Sequence, residues 1–120
     1  MRFALLAPAL LVLTGCSDSE GASEMNTDQL GAAREAYKKG NCTMCHGSEG
    51  QGATTGPALR GLTANWDQTS LNKFLADPAA ALANNARLKQ QAKQYLMPMP
   101  APSDLTDEER NLLSGLLLTW

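Results

Sequence analysis

The chain has 120 residues, with 12 acidic side chains against 10 basic and a formal net charge of -2. That length allows one domain at most. A balance so near neutral, with no basic stripe along the chain, lacks the electrostatic footprint of a nucleic-acid binder.

The N-terminus opens on Met1 and Arg2, and the apolar run "FALLAPALLVL" follows. This run is short of the about 20 residues that a membrane-spanning helix needs. It has the length and flanks of a secretory signal. The last residue of the run, Leu13, with Thr14, Gly15 and Cys16 after it, resembles the cut site of a bacterial lipoprotein. The resemblance implies a diacylglycerol thioether on Cys16. With an N-acyl chain added, this anchors a protein firmly, where one chain alone is marginal. The chain is therefore expected outside the cytosol, in a compartment where free thiols rarely persist. Lipidation of Cys16 leaves an even pair, Cys42 and Cys45. The polar, acidic stretch "SDSEGASE" cannot bury enough apolar surface to fold alone and reads as a flexible tether. The expected division is 1–15 signal peptide, 16–25 lipidated cysteine and tether, and 26–120 folded domain.

Helical patterns dominate that domain and strand-like alternation is missing. A first helix is predicted over residues 26–40, capped by Asn26 or Thr27, ended by Gly40, with Leu30, Ala33 and Tyr37 on one face. A short helix is predicted over 69–78, starting at Thr69 or Ser70. Asp77 and Pro78 then offer a cap and a first-turn proline. A longer helix can run from there through residues 79–96, with Asn84 and Asn85 as its weak point. The last helix is the best signalled. Thr106 and Glu109 form a capping box, Leu105 a hydrophobic staple, and Leu112, Leu113, Leu116 and Leu117 an apolar face.

Between the first two helices lies "NCTMCHGSEGQG", with the only histidine of the chain. Three chemistries compete for Cys42, Cys45 and His46. Structural zinc needs four ligands, and these are three with no second histidine. A thiol-disulfide pair belongs near a βαβ pattern, which is missing here. Cys-x-x-Cys-His marks covalent attachment of haem c. Cysteines three apart on a helical turn lie on one side, so both thiols can reach one edge of a porphyrin, and His46 follows as an iron ligand. Aromatic residues make up only 5 % of the chain, so a large buried cofactor would fill an otherwise thin core. With one histidine in the chain, bis-histidine ligation is excluded, and methionine is the natural sixth ligand. Met44 sits inside the attachment loop and Met25 at the tether junction. Met97 and Met99 remain, each followed by a proline.

The segments "CTMCHG", "TGPALRGL" and "MPAPSDLTDEERNLLSGLL" are similar, in order and spacing, to class I cytochrome c over residues 27–120. The resemblance implies an all-α fold in which the first and last helices cross near one haem edge. It places Ala33 and Tyr37 at that crossing, facing Leu116 or Trp120. Tyr37 stands five residues before Cys42, where the family has four. It implies Met99 rather than Met97 on iron, and a Pro57 carbonyl that accepts the His46 Nδ1 proton. It makes Arg60 and Trp66 candidates to bond the haem propionates. The plainer readings are a turn proline for Pro57, a surface arginine for Arg60, a core tryptophan for Trp66, and a gap-filling core residue for whichever methionine is not on iron.

A haem c saturated by histidine and methionine implies one-electron transfer rather than catalysis, with no small-molecule substrate. The expected partners are membrane-associated redox proteins of a respiratory chain, met while the lipid on Cys16 holds the domain at a bacterial membrane, facing the periplasm or the cell exterior. Rival readings are a permanently bound electron-delivery subunit, or a haem sensor or peroxidase with a labile sixth ligand.

Overall fold

A computed structural model describes residues 24–120. The signal segment, Cys16 and most of the tether lie outside the described residues. The fold is all-α: among the described residues the only β-type pairing is an isolated antiparallel bridge between Ala53 and Gly56.

Helix α1 spans Thr27–Lys39. The Gln29 amide N–H donates to the Asn26 side chain at 2.9 Å, and the Asn26 N–H donates back to the Gln29 side chain at 3.0 Å. This reciprocal pairing satisfies two otherwise orphaned donors. Ala33, Ala36 and Tyr37 are buried, while Leu30 is only half-buried. Gly40 ends the helix, its N–H donating to the Ala36 carbonyl at 2.9 Å. Asn41 then turns into the left-handed region at φ 57°, and α2 begins at once as Cys42–His46.

Helix α3 runs Gln68–Ala76. Its start departs from the predicted Thr69 or Ser70. Asp67 is the cap, its carboxylate accepting the Ser70 N–H at 2.7 Å, so Ser70 closes the box from the third helical position. The helical stretch over 79–96 breaks at its weak point, Asn84 and Asn85. There are two helices, α4 at Pro78–Asn84 and α5 at Ala86–Ala92. Asn85 separates them in extended backbone and caps α5 by accepting the Leu88 N–H at 3.2 Å. Asp77 caps α4 with Pro78 in the first turn.

Helix α6, Asp107–Leu117, carries the expected box. The Glu109 N–H donates to Thr106 Oγ1 at 3.1 Å and the Thr106 N–H to the Glu109 carboxylate at 2.8 Å. Leu113, Leu116 and Leu117 are buried, but Leu112 is only half-buried and Ser114 takes its place inside. The buried Ser114 hydroxyl is satisfied by donating to the Asn111 carbonyl at 2.8 Å.

The core lies where α6 packs on both α1 and α3. The small Ala33 and Ala36 let α6 approach α1 closely, and Lys39 meets Glu109 at 2.8 Å across the pair. A polar clasp ties α3 to α6. Gln68 Nε2 donates to the Asn111 carbonyl at 3.1 Å, Asn72 Nδ2 to Asn111 Oδ1 at 3.2 Å, and Arg110 Nε to Asn72 Oδ1 at 3.2 Å.

Candidate cofactor site

The attachment motif occupies the single helical stretch α2. Cys42 and Cys45 are three apart on it, which puts their thiols on one side of the turn. Cys42 is buried and Cys45 half-buried. Burial, chiefly, pushes the Cys42 thiol up to about 11, with the neighbouring Cys45 adding to the shift. Catalytic redox cysteines sit in surroundings that depress the thiol pKa, the opposite direction to the shift at Cys42. Among the described residues, no cluster of three or more His, Cys, Asp or Glu side chains is arranged to hold a metal ion.

His46 is only 7 % exposed. Its Nδ1 lies 2.8 Å from the Pro57 carbonyl oxygen. A carbonyl only accepts, so Nδ1 carries the proton and donates. The other ring nitrogen, Nε2, is then a bare lone pair with no hydrogen-bond partner among the described residues. A buried imidazole with one nitrogen fixed and the other free is the donor that an axial iron position requires.

The loop that brings Pro57 to the histidine folds back on α2. The Gly52 N–H donates to the His46 carbonyl at 2.8 Å, Ala53 pairs with Gly56, and the Leu59 N–H donates to the Gly50 carbonyl at 2.7 Å. From α1, the Tyr37 hydroxyl donates to the Gly47 carbonyl at 2.7 Å, and the Tyr37 ring meets Trp120 edge-on at 5.1 Å between centroids. Burial, first, and then the nearby Cys42 push the Tyr37 hydroxyl up to about 12, so it remains a donor. Between Tyr37 and Cys42 the chain turns through Asn41 in the left-handed region at φ 57°.

Arg60 is exposed and reaches the Glu49 carbonyl at a long 3.4 Å. Trp66 packs on Phe74 at 5.1 Å, and the Arg87 guanidinium lies 5.4 Å over its ring. Sequence reasoning missed Arg87, because a cation–π contact across 21 positions leaves no local pattern. Met99 is half-buried and packs against the core, lining a cleft with Pro78, Leu82 and Ala101. Met97 is 78 % exposed.

The fold and this site define a helical protein with a cysteine pair and a buried histidine together on one short helix. A model of the cytochrome c family matches residues 31–119, about three quarters of the chain. The chain belongs to that family, as a class I c-type cytochrome, and the family implies haem c bound covalently through the cysteine pair, here Cys42 and Cys45. Neither the search of curated proteins nor that of solved structures finds a match. Haem-based electron transfer is the general work of the family.

Proposed function

We propose that this protein is an exported, lipid-anchored one-electron carrier whose haem iron is held by His46 and Met99, working between membrane-associated redox proteins of a respiratory chain. The observation that carries the reading is the buried His46 ring, with Nδ1 committed to Pro57 and Nε2 free. When bound, the haem supplies a one-electron couple, whose potential histidine–methionine ligation raises. The chain's own contribution is rigidity. Cys42 and Cys45 fix the group at two points, and the Pro57 carbonyl fixes the imidazole's tautomer and makes it a richer donor.

Met99 is favoured over Met97 because it is already held against the core. Fixing a side chain that is 78 % exposed, as Met97 is, costs rotamer entropy. With both axial positions filled, no site remains for a substrate, which supports a carrier rather than an enzyme. Among the described residues no helix is long and apolar enough to cross a membrane. Attachment in this reading rests on the lipid at Cys16, and residues 17–24 let the domain reach on the order of 25 Å from it.

Exposed Met44, Leu96 and Met97 favour a second reading, an electron-delivery subunit held permanently on a larger complex through apolar contacts. Detergent extraction of native membranes distinguishes the two. The carrier is released alone, and the subunit leaves with its complex.

The test of the main reading is the visible spectrum of wild type, Met99→Ala and Met97→Ala, oxidised and reduced. The carrier reading expects the sharp α-band of c-type haem in all three. The weak far-red band of methionine sulfur on ferric iron is expected in wild type and Met97→Ala only. Its absence from wild type contradicts the assignment. Mass spectrometry of the N-terminal peptide tests the lipid: acyl mass on Cys16 supports the anchor, and an unmodified Cys16 removes it.

A further inference from the structure

The Pro57 carbonyl is suspended between two points where its loop is tied. On one side, Gly56 pairs with Ala53 and presses on α2. On the other, the Leu59 N–H is bonded at 2.7 Å to the Gly50 carbonyl. Gly50 is tied to the end of α2, its N–H donating to the Gly47 carbonyl at 3.4 Å, and its backbone lies within reach of the Tyr37 hydroxyl from α1. Trp120 closes the remaining side: a Cβ built on Gly50 would fall 2.5 Å from the Trp120 Cε3 and 2.6 Å from its Cζ3. Gly50 also has φ +67°, so the residue type and the ring contact require each other. Trp120 grips the same loop a second time, beyond Pro57, where its carbonyl accepts the Gly61 N–H at 3.0 Å. Its ring is held in turn by the edge of Tyr37, whose hydroxyl is bonded to Gly47.

We propose that Trp120 is a positioning residue for His46: its ring on Gly50 and its carbonyl on Gly61 hold the loop so that the Pro57 carbonyl stays on the imidazole Nδ1. The proposal deepens the reading above and rests on His46 being the iron ligand. Loss of the brace lets the carbonyl swing away while Cys42, Cys45, His46 and Pro57 are all retained. The Nδ1 proton then meets water, and the imidazole becomes a poorer donor. Oxidised iron is less stabilised, and the potential rises. Burial of an aromatic ring in a core predicts only a loss of stability, with no selective effect on that one proton.

The test reads the exchange of the His46 Nδ1 proton with solvent by NMR of the reduced holoprotein, alongside the midpoint potential. Trp120→Ala is expected to speed exchange at least about tenfold, equivalent to about 1.4 kcal/mol in the local opening equilibrium, and to raise the potential. Trp120→Phe, which keeps a ring and the backbone carbonyl, is expected to restore most of both. Leu105→Ala is the control. It removes core packing at the far end of α6 and is expected to lower the melting temperature while leaving exchange and potential as in wild type. Equal exchange in Trp120→Ala and Leu105→Ala, compared at the same interval below their melting temperatures, overturns the proposal and leaves Trp120 as packing alone. Should Trp120→Ala not fold, Gly50→Ala serves in its place, since the added methyl displaces the ring from the other side. Wild-type exchange in that variant overturns the proposal equally. Failure of methionine ligation would appear in the far-red band and leave the Nδ1 readout intact, so the two ideas fail separately.

Discussion

Gly56 stands so close to Cys45 that a Cβ on it would lie 2.7 Å from the Cys45 carbonyl oxygen. The second attachment cysteine and the residue before Pro57 are thus in backbone contact, and only glycine allows it. Gly56→Ala must push the loop off α2. The expected cost is about 1–3 kcal/mol, the usual penalty for overpacking a close contact, measured by denaturant unfolding of the holoprotein. A cost below the error of that measurement would show that the loop yields freely.

The turn between α1 and α2 depends on Asn41 at φ 57°. Asparagine visits this region readily and alanine does not. Asn41→Ala is expected to destabilise the fold by about 1–2 kcal/mol, and Asn41→Gly by much less, because glycine accepts the same backbone. Thermal unfolding of the two variants side by side checks the order.

Acid should loosen the contact between α1 and α6. The Lys39 ammonium, first, and the Thr106 backbone N–H hold the Glu109 carboxyl below its ordinary value of 4.5. The amide and hydroxyl of Ser70 hold Asp67 below 3.8 in the same way. A depressed folded-state value means that the stabilisation is present above the ordinary value and is lost as pH falls through the folded one. Glu109→Gln keeps the capping box, since glutamine serves there, but removes the titration. The melting temperatures of wild type and Glu109→Gln are therefore expected to differ near neutrality and to converge between about pH 5 and about pH 3. A constant gap across that range contradicts the ion pair's role.

Two leucines separate core from surface. Leu113 is fully buried in the helix crossing, while Leu96 is wholly exposed. Leu113→Ala should cost about 2–5 kcal/mol, and Leu96→Ala less than about 0.5 kcal/mol. A large loss at Leu96 in the purified domain would place it in a contact that this fold does not make.

What could be read from the sequence was local. The box of Thr106 and Glu109 lies within four residues, and its geometry follows directly. Asn26 and Gly40 bound α1 for the same reason. The starts of α3 and α5 were harder because several polar residues compete as caps. Asp67 prevails over Thr69 by bonding the Ser70 amide, and Asn85 divides α4 from α5 by capping the second rather than continuing the first. At the site, Cys42, Cys45 and His46 announce themselves through residue type. Pro57 enters the sequence reading only through family resemblance, because the group it offers is a backbone carbonyl, which every residue has. The brace of Trp120 on Gly50 joins positions 70 apart, and the Arg87 contact with Trp66 depends on how α5 is laid down. Neither leaves a pattern that periodicity can detect.

The most direct test of the central claim is carbon monoxide added to the reduced holoprotein at neutral pH. With His46 and Met99 both on iron, the spectrum of wild type is predicted to stay unchanged, while Met99→Ala binds the gas at once. Prompt binding by wild type would show an open sixth position, contradict the carrier account, and point instead to a sensor or an enzyme.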